Sequence, residues 1–127
     1  MATVSTLSKA ALMRTVGVTA KQNKKVVWRT NSIVVRQILS AKEFIDTVQN
    51  ILHDCSSDDG SLSPELLDFA IRVNVIAAYA YVELPSDFDE LYYAVYASDL
   101  YETVYKNTNS AQIDAIRQAV KIYIGAQ

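Results

Sequence analysis

The sequence predicts a mainly α fold of the α+β class, in which an extended N-terminal arm and a short β-hairpin precede a bundle of about four helices. Three observations predict it. Two apolar triplets, Val26-Val27-Trp28 and Ile33-Val34-Val35, flank a short polar turn. Beyond them, apolar residues recur at helical spacing behind starts led by serine or acid. The opening residues hold neither a helical nor a strand period. With 127 residues, 50% of them hydrophobic and 20% charged, the chain has the composition of one globular domain.

Residues 1 to 24 scatter Val4, Leu7, Leu12, Met13, Val16 and Val18 among Ser, Thr, Ala and Lys. Alone, such a segment buries too little surface to offset its ordering entropy. Fully extended it would reach about 80 Å at ~3.3 Å per residue. The expected division is an extended basic arm over 1–24 and a folded unit, hairpin plus helices, over 25–127. Within the hairpin, a two-residue loop at Thr30-Asn31 would pair Trp28 with Ile33 and Val26 with Val35, with Asn31 able to turn left-handed. All four apolar side chains then share one face.

Ser40-Ala41-Lys42-Glu43 has the pattern of a capping box, so a helix starts there, with Phe44, Ile45, Val48, Ile51 and Leu52 on one stripe. The polar run from Ser56 to Ser61 ends it. Ser63-Pro64 opens the next helix, with proline at the position where its missing N–H costs nothing. That helix is expected to run to about Glu83, before Pro85. Its uncharged stretch Val73 to Val82 marks the most buried element, where an Asp at Ala77 or Ala78 would prevent folding. Asp87, Asp89 and Glu90 place negative charge at the start of a third helix, expected to continue until Asn107-Thr108-Asn109-Ser110 breaks it. A last helix over about 111–124 aligns Ile113, Ile116, Val120, Tyr123 and Ile124.

The net charge of −2 conceals a segregation. Residues 1–42 hold eight basic residues and no acid, whereas residues 43–127 hold four basic residues and all fourteen acids. One end of the chain attracts what the other repels. The single Cys55 and single His53 provide neither an internal disulfide nor a Cys/His zinc site, so a reducing compartment is expected and no metal or cofactor. No stretch is apolar enough over sufficient length to read as a signal peptide or a membrane span, and a soluble, unsecreted protein is expected.

His53, Asp54 and Cys55 place a thiol next to an imidazole, but neighbours on a helix do not face each other. They read as a helix end rather than a nucleophile with its base. Asp58 and Asp59 lack the alternating ligands of a calcium loop and read as a solvated turn. The three glycines, Gly17, Gly60 and Gly125, form no phosphate-binding loop.

The tyrosines say more. Tyr79, Tyr81, Tyr92, Tyr93, Tyr96, Tyr101 and Tyr105 crowd two consecutive predicted helices, and Tyr92 and Tyr93 lie about 100° apart on a helix, so some must reach the surface. The expected partner-binding residues are therefore the bases Lys9, Arg14, Lys21, Lys24, Lys25, Arg29 and Arg36 together with Tyr93 and Tyr101. The arm could neutralise nucleic-acid phosphates or lie on an acidic protein surface, including the body of a neighbouring copy. It has five basic residues through Lys25 and no aromatic residue before Trp28, which favours protein over nucleic acid.

From Val26 onward, a short hairpin, then Ile38-Leu39-Ser40-Ala41-Lys42-Glu43-Phe44 entering a helix, then tyrosine-rich helices form an order that resembles small virion structural proteins of tailed bacteriophages. These are auxiliary head, connector or tail components. More loosely it is similar to phage tail assembly chaperones. The resemblance covers about residues 26–124 and rests on the order of elements, without a diagnostic motif. It implies a non-enzymatic protein of the virion, found in the host cytoplasm during assembly. Its partners would be other virion proteins or copies of itself in a symmetric assembly, with no membrane contact. The arm departs from the compact members and favours a component built into the particle over a transient chaperone.

Overall fold

The computed structural model describes residues 6–17, 22–56 and 59–125. Among these the chain opens with a helix, α1 (Lys9–Val16), where an extended arm was expected. Two caps explain it. The Ser8 hydroxyl accepts a hydrogen bond from the Ala11 amide at 3.1 Å, and Gly17, at φ 71°, donates its N–H to the Met13 carbonyl at 3.2 Å. Both ends are thus satisfied within the segment itself. No residue of α1 is buried.

β1 (Asn23–Trp28) begins inside the expected arm and pairs antiparallel with β2 (Asn31–Arg36). The turn is Arg29-Thr30, with Arg29 at φ 59°, and Val26 lies opposite Ile33. The register is two residues away from the Trp28–Ile33 pairing expected. Because side chains alternate with a period of two, that shift leaves the same faces in place. Val26, Ile33 and Val35 are buried, Trp28 is half-buried, and Val27 is 76% exposed on the other side. The longer ladder continues past both strands, where the Gln37 N–H donates to the Gln22 carbonyl at 3.0 Å.

The free edge of β2 is occupied by the chain that leaves the central helix. Val35 bridges Ala80, and the Tyr81 N–H donates to the Val34 carbonyl at 3.0 Å. This pairing stops α3 (Pro64–Tyr79) short of the expected Glu83. Before it, α2 (Ala41–Asp54) starts on the capping box: the Glu43 amide donates to Ser40 Oγ at 3.3 Å, and the Ser40 amide to Glu43 Oε1 at 3.1 Å. The expected third helix is divided into α4 (Phe88–Tyr96) and α5 (Leu100–Lys106). At the break, Ser98 Oγ donates to the Ala94 carbonyl and accepts from the Leu100 amide, offering the backbone a local alternative to the helical ladder. α6 (Ser110–Gly125) is the last element of the described residues. Five helices follow the hairpin where about four were expected, in a mainly α fold with one short hairpin.

α3 is central, packing on α2, α4 and α5, while α6 closes against α2 and α5. Fully buried Ile51, Ile71, Val75, Ile76, Val95, Val104, Ile113, Ile116 and Val120 fill the space between them. Each contributes about 2 kcal/mol of burial. The buried side of α3 is one face: Ala77, expected at its centre, is exposed, and Ala78 is half-buried. One polar clamp ties the hairpin exit to the bundle. Gln112 of α6 accepts from the Leu39 amide at 2.7 Å and donates to the Leu39 carbonyl at 3.0 Å, and buried Tyr79 donates to the same Gln112 oxygen.

Candidate interaction surface

The first turn of α4 places Phe88 beside Phe69 of α3, with ring centroids 5.4 Å apart. Asp87 caps that turn by accepting from the Glu90 amide at 3.0 Å, which fixes where Phe88 emerges. One turn on, Tyr92 and Tyr96 lie 6.2 and 5.9 Å from the same Phe69 ring and 5.1 Å from each other. Tyr93 meets Tyr92 edge-on at 6.1 Å. The outcome is an aromatic face with Phe88 60%, Tyr92 47% and Tyr93 59% exposed. Beside it a cleft of about 210 Å³ is lined by Asp54, Leu66, Phe69, Val73, Phe88 and Leu91. The segment from Tyr81 to Tyr96 holds Glu83, Asp87, Asp89 and Glu90, all exposed, and no basic residue. Exposed aromatic rings and exposed acids thus share one segment of the chain.

Behind it sits a hub of charge. Asp68 accepts from Arg72 at 2.8 Å, from Arg117 at 3.1 Å and from the Tyr96 hydroxyl at 2.6 Å. Arg72 also reaches Glu102 at 3.2 Å and lies over the Tyr96 and Tyr101 rings, 5.1 and 4.7 Å from their centroids. Arg117 further donates to the Tyr101 hydroxyl at 3.1 Å. Burial pushes the Asp68 carboxyl up, but the hydrogen bonds from Tyr96 and Arg117 and the charge of Arg72 outweigh it and hold the group below its usual range. Burial, with the Asp68 carboxylate as acceptor, raises Tyr96 to about 12, so its hydroxyl stays a donor. Four helices meet here, and the hub sets the height at which Tyr96 meets the surface.

The residues expected to bind a partner divide into three sets. Lys9 and Arg14 project from α1, and Lys24 and Lys25 from β1, all exposed. Tyr93 is on the aromatic face. By contrast, Arg36 is half-buried and forks onto Glu43, so it holds the hairpin to the start of α2. Tyr101 is 7% exposed and serves Arg117, so it belongs to the core and not to the surface. Arg29 lies between these sets, 5.4 Å from the Trp28 ring centroid and 3.7 Å from Asp99, which also accepts from the Trp28 indole at 2.8 Å. Lys21 lies outside the described residues.

Sequence reasoning missed Leu66, Phe69 and Phe88 as surface formers and the whole hub. Asp68 and Arg72 at i and i+4 were the one legible signal for the latter.

The cysteine and histidine do not form a reactive pair. Cys55 is buried, its thiol directed at the Leu52 carbonyl at 3.6 Å, and burial pushes it up, away from the thiolate a nucleophile needs. His53 is exposed beside Asp54 at 3.5 Å. Among the described residues no three His, Cys, Asp or Glu side chains come together as a metal site, and no helix is long and apolar enough to cross a membrane. Neither protein-family models, nor curated proteins, nor solved structures match the chain.

Proposed function

We propose that the chain is a non-enzymatic structural protein of a multi-subunit particle, of the kind its resemblance to tailed-phage virion proteins implies. It joins neighbouring subunits through its basic N-terminal helix and the aromatic face of α4. One observation carries the reading: α1 is capped at both ends, displays Leu12, Met13 and Val16 to solvent, and contributes nothing to a core that closes without it. Isolated helices shorter than roughly 12 residues are marginal in water, so a helix of 8 residues needs packing beyond what its own body gives to be fully populated. The aromatic face supports the same reading, because exposed Tyr and Phe rings present large contact area at small entropic cost.

The test is composition. Mass spectrometry of purified particles from producing cells should find the chain in stoichiometric amount, and a chain lacking residues 1–17 should be absent from them. Its presence during assembly but absence from mature particles would identify an assembly chaperone instead. Exposed Lys24 and Lys25 favour a second reading, nucleic-acid binding through the basic segment. That reading requires an affinity for DNA or RNA that falls steeply with salt.

A further inference from the structure

We propose that the partner of α1 is a second copy of this chain, and that α1 seats in the apolar cleft between α3 and α4 of that copy, beside the acids that open α4. The inference rests on the assembly reading above and deepens it by naming the partner.

The helix defines what its receptor must offer. Leu12, Met13 and Val16 fall within about 100° of one another around the helix axis, forming one narrow apolar stripe. Their exposures are 47, 53 and 48%. Lys9 lies within that stripe and Arg14 opposite it, and no acid occurs in residues 1–42. A matching site is therefore a short apolar groove with negative charge at its edge. The molecule has such a groove. Leu66, Phe69, Val73, Phe88 and Leu91 line the cleft of about 210 Å³, and Asp54 stands at its wall. Asp87, Asp89 and Glu90 flank Phe88 along the chain and are exposed, and Asp87 and Glu90 line, with Glu83, a depression separate from this cleft. Among the described residues no ion pair involves Lys9 or Arg14, or Asp87, Asp89 or Glu90.

A second apolar cleft, between α2 and α6, fits less well. Its lining is Phe44, Ile45, Val48, Gln49, Leu52, Ala119 and Tyr123, with no acid. Charge therefore selects the α3/α4 cleft. The occupant is a neighbour's helix, because the chain's own α1 has no buried residue. Helix and cleft are different surfaces, so the contact is head to tail and propagates from copy to copy into a ring or a filament.

The experiment uses the full-length chain and two variants, Leu12→Asp on the helix and Phe88→Asp at the cleft. Both side chains are about half exposed or more, so both variants should fold, which circular dichroism and urea unfolding verify. Sedimentation velocity over a wide concentration range should show wild-type chain growing beyond the dimer. Each variant alone should associate more than about tenfold more weakly, because an unpaired carboxylate would enter the contact. Mixed, the variants should form a capped dimer, since one retains an intact cleft and the other an intact helix. Added salt should weaken wild-type association.

Wild-type chain that stays monomeric at all concentrations overturns the proposal, as does a mixture of the variants that stays monomeric while wild type associates. The two readings fail separately. A monomeric chain found in purified particles sinks the self-docking and leaves the assembly role. A self-associating chain absent from particles does the reverse.

Discussion

Replacing Asp68 by Asn probes whether the charged hub holds the aromatic face in place. Asp68 accepts three hydrogen bonds, two from guanidinium groups and one from Tyr96. Fully buried charge-assisted bonds contribute about 1.5–3 kcal/mol each, and fully exposed ion pairs about 0.2–1. The Asp68 side chain is 48% exposed and those of Arg72 and Arg117 are 24 and 28% exposed, so each bond falls near the boundary, at about 1 kcal/mol. The amide of Asn can still accept one of the three, which puts the loss at about 2 kcal/mol. In urea that lowers the unfolding midpoint by about 1 M at unchanged slope. Glu102→Gln is the control: Glu102 is 52% exposed and holds one contact to Arg72, so it should cost less than about 0.5 kcal/mol.

The pH dependence gives an independent reading. The Asp68 carboxyl is depressed in the fold, so its contribution is present above the ordinary aspartate value of about 4 and is lost as pH falls through the depressed one. Wild type and Asp68→Asn should therefore differ fully at neutral pH and converge in acid. An Asp68→Asn midpoint equal to that of wild type at neutral pH, or a gap that persists in acid, would refute the assignment of the hub.

Glu43→Gln should behave similarly at the hairpin exit. The bond from Arg36 and those from the Ser40 amide and hydroxyl hold Glu43 at about 2, so its contribution, about 1 kcal/mol after allowing for a side chain 41% exposed, is complete above about 4.5 and fades toward pH 2 in acid unfolding followed by circular dichroism. Gln112→Ala removes partners from both backbone groups of buried Leu39 and from buried Tyr79, and should cost about 2–4 kcal/mol in urea. Tyr79→Phe should then cost less in that background than in wild type, as a double-mutant cycle would read. Ala77→Asp, on the exposed side of α3, should fold with a loss below about 1 kcal/mol, whereas Ile76→Asp one residue earlier should leave an unfolded far-UV spectrum. Amides of α1 should exchange rapidly in dilute chain while those of Ile71, Val75 and Ile76 stay protected by hydrogen-exchange mass spectrometry.

What the sequence displays depends on how local the controlling interaction is. The α2 capping box and the Ser63-Pro64 start of α3 lie within four residues of chain and are legible directly. The hairpin's faces are legible because alternation survives a two-residue slip, and its register is not, because long-range contacts such as Trp28 to Asp99 help fix it. The end of α3 is set by β2, a strand 45 residues away at the Val35–Ala80 bridge, and no local pattern at Ala80 reports that. α1 could have been read from Ser8 and Gly17, the two caps that bracket it; the weak apolar period between them hides it. The hub joins residues 68, 72, 96, 102 and 117, of which only the first two are a recognisable helical pair. The same distance explains Tyr101: spacing along a helix cannot separate a ring that meets solvent from one whose hydroxyl is claimed by Arg117, 16 residues further on.

The marginal stability of α1 bears on how such a contact would operate. A helix of 8 residues without core contacts is populated only partly, so docking must first complete it. Each ordered residue opposes binding by about 1 kcal/mol or more of conformational entropy, against about 2 kcal/mol for each apolar side chain the cleft buries. Three such side chains, Leu12, Met13 and Val16, joined by the attraction of Lys9 and Arg14 to the acids that open α4, therefore set a modest affinity for a single helix in a single cleft, of the kind that sedimentation at high chain concentration reads. The Ser8 and Gly17 caps reduce the opposing term by biasing the free segment toward helix. A contact of modest strength is reinforced where many identical contacts form together, as in a closed ring or a shell held also by other surfaces. Basic charge on one side and acid on the other then serves mainly to select the partner and speed its approach, while the geometry of the assembled particle supplies the remaining stability.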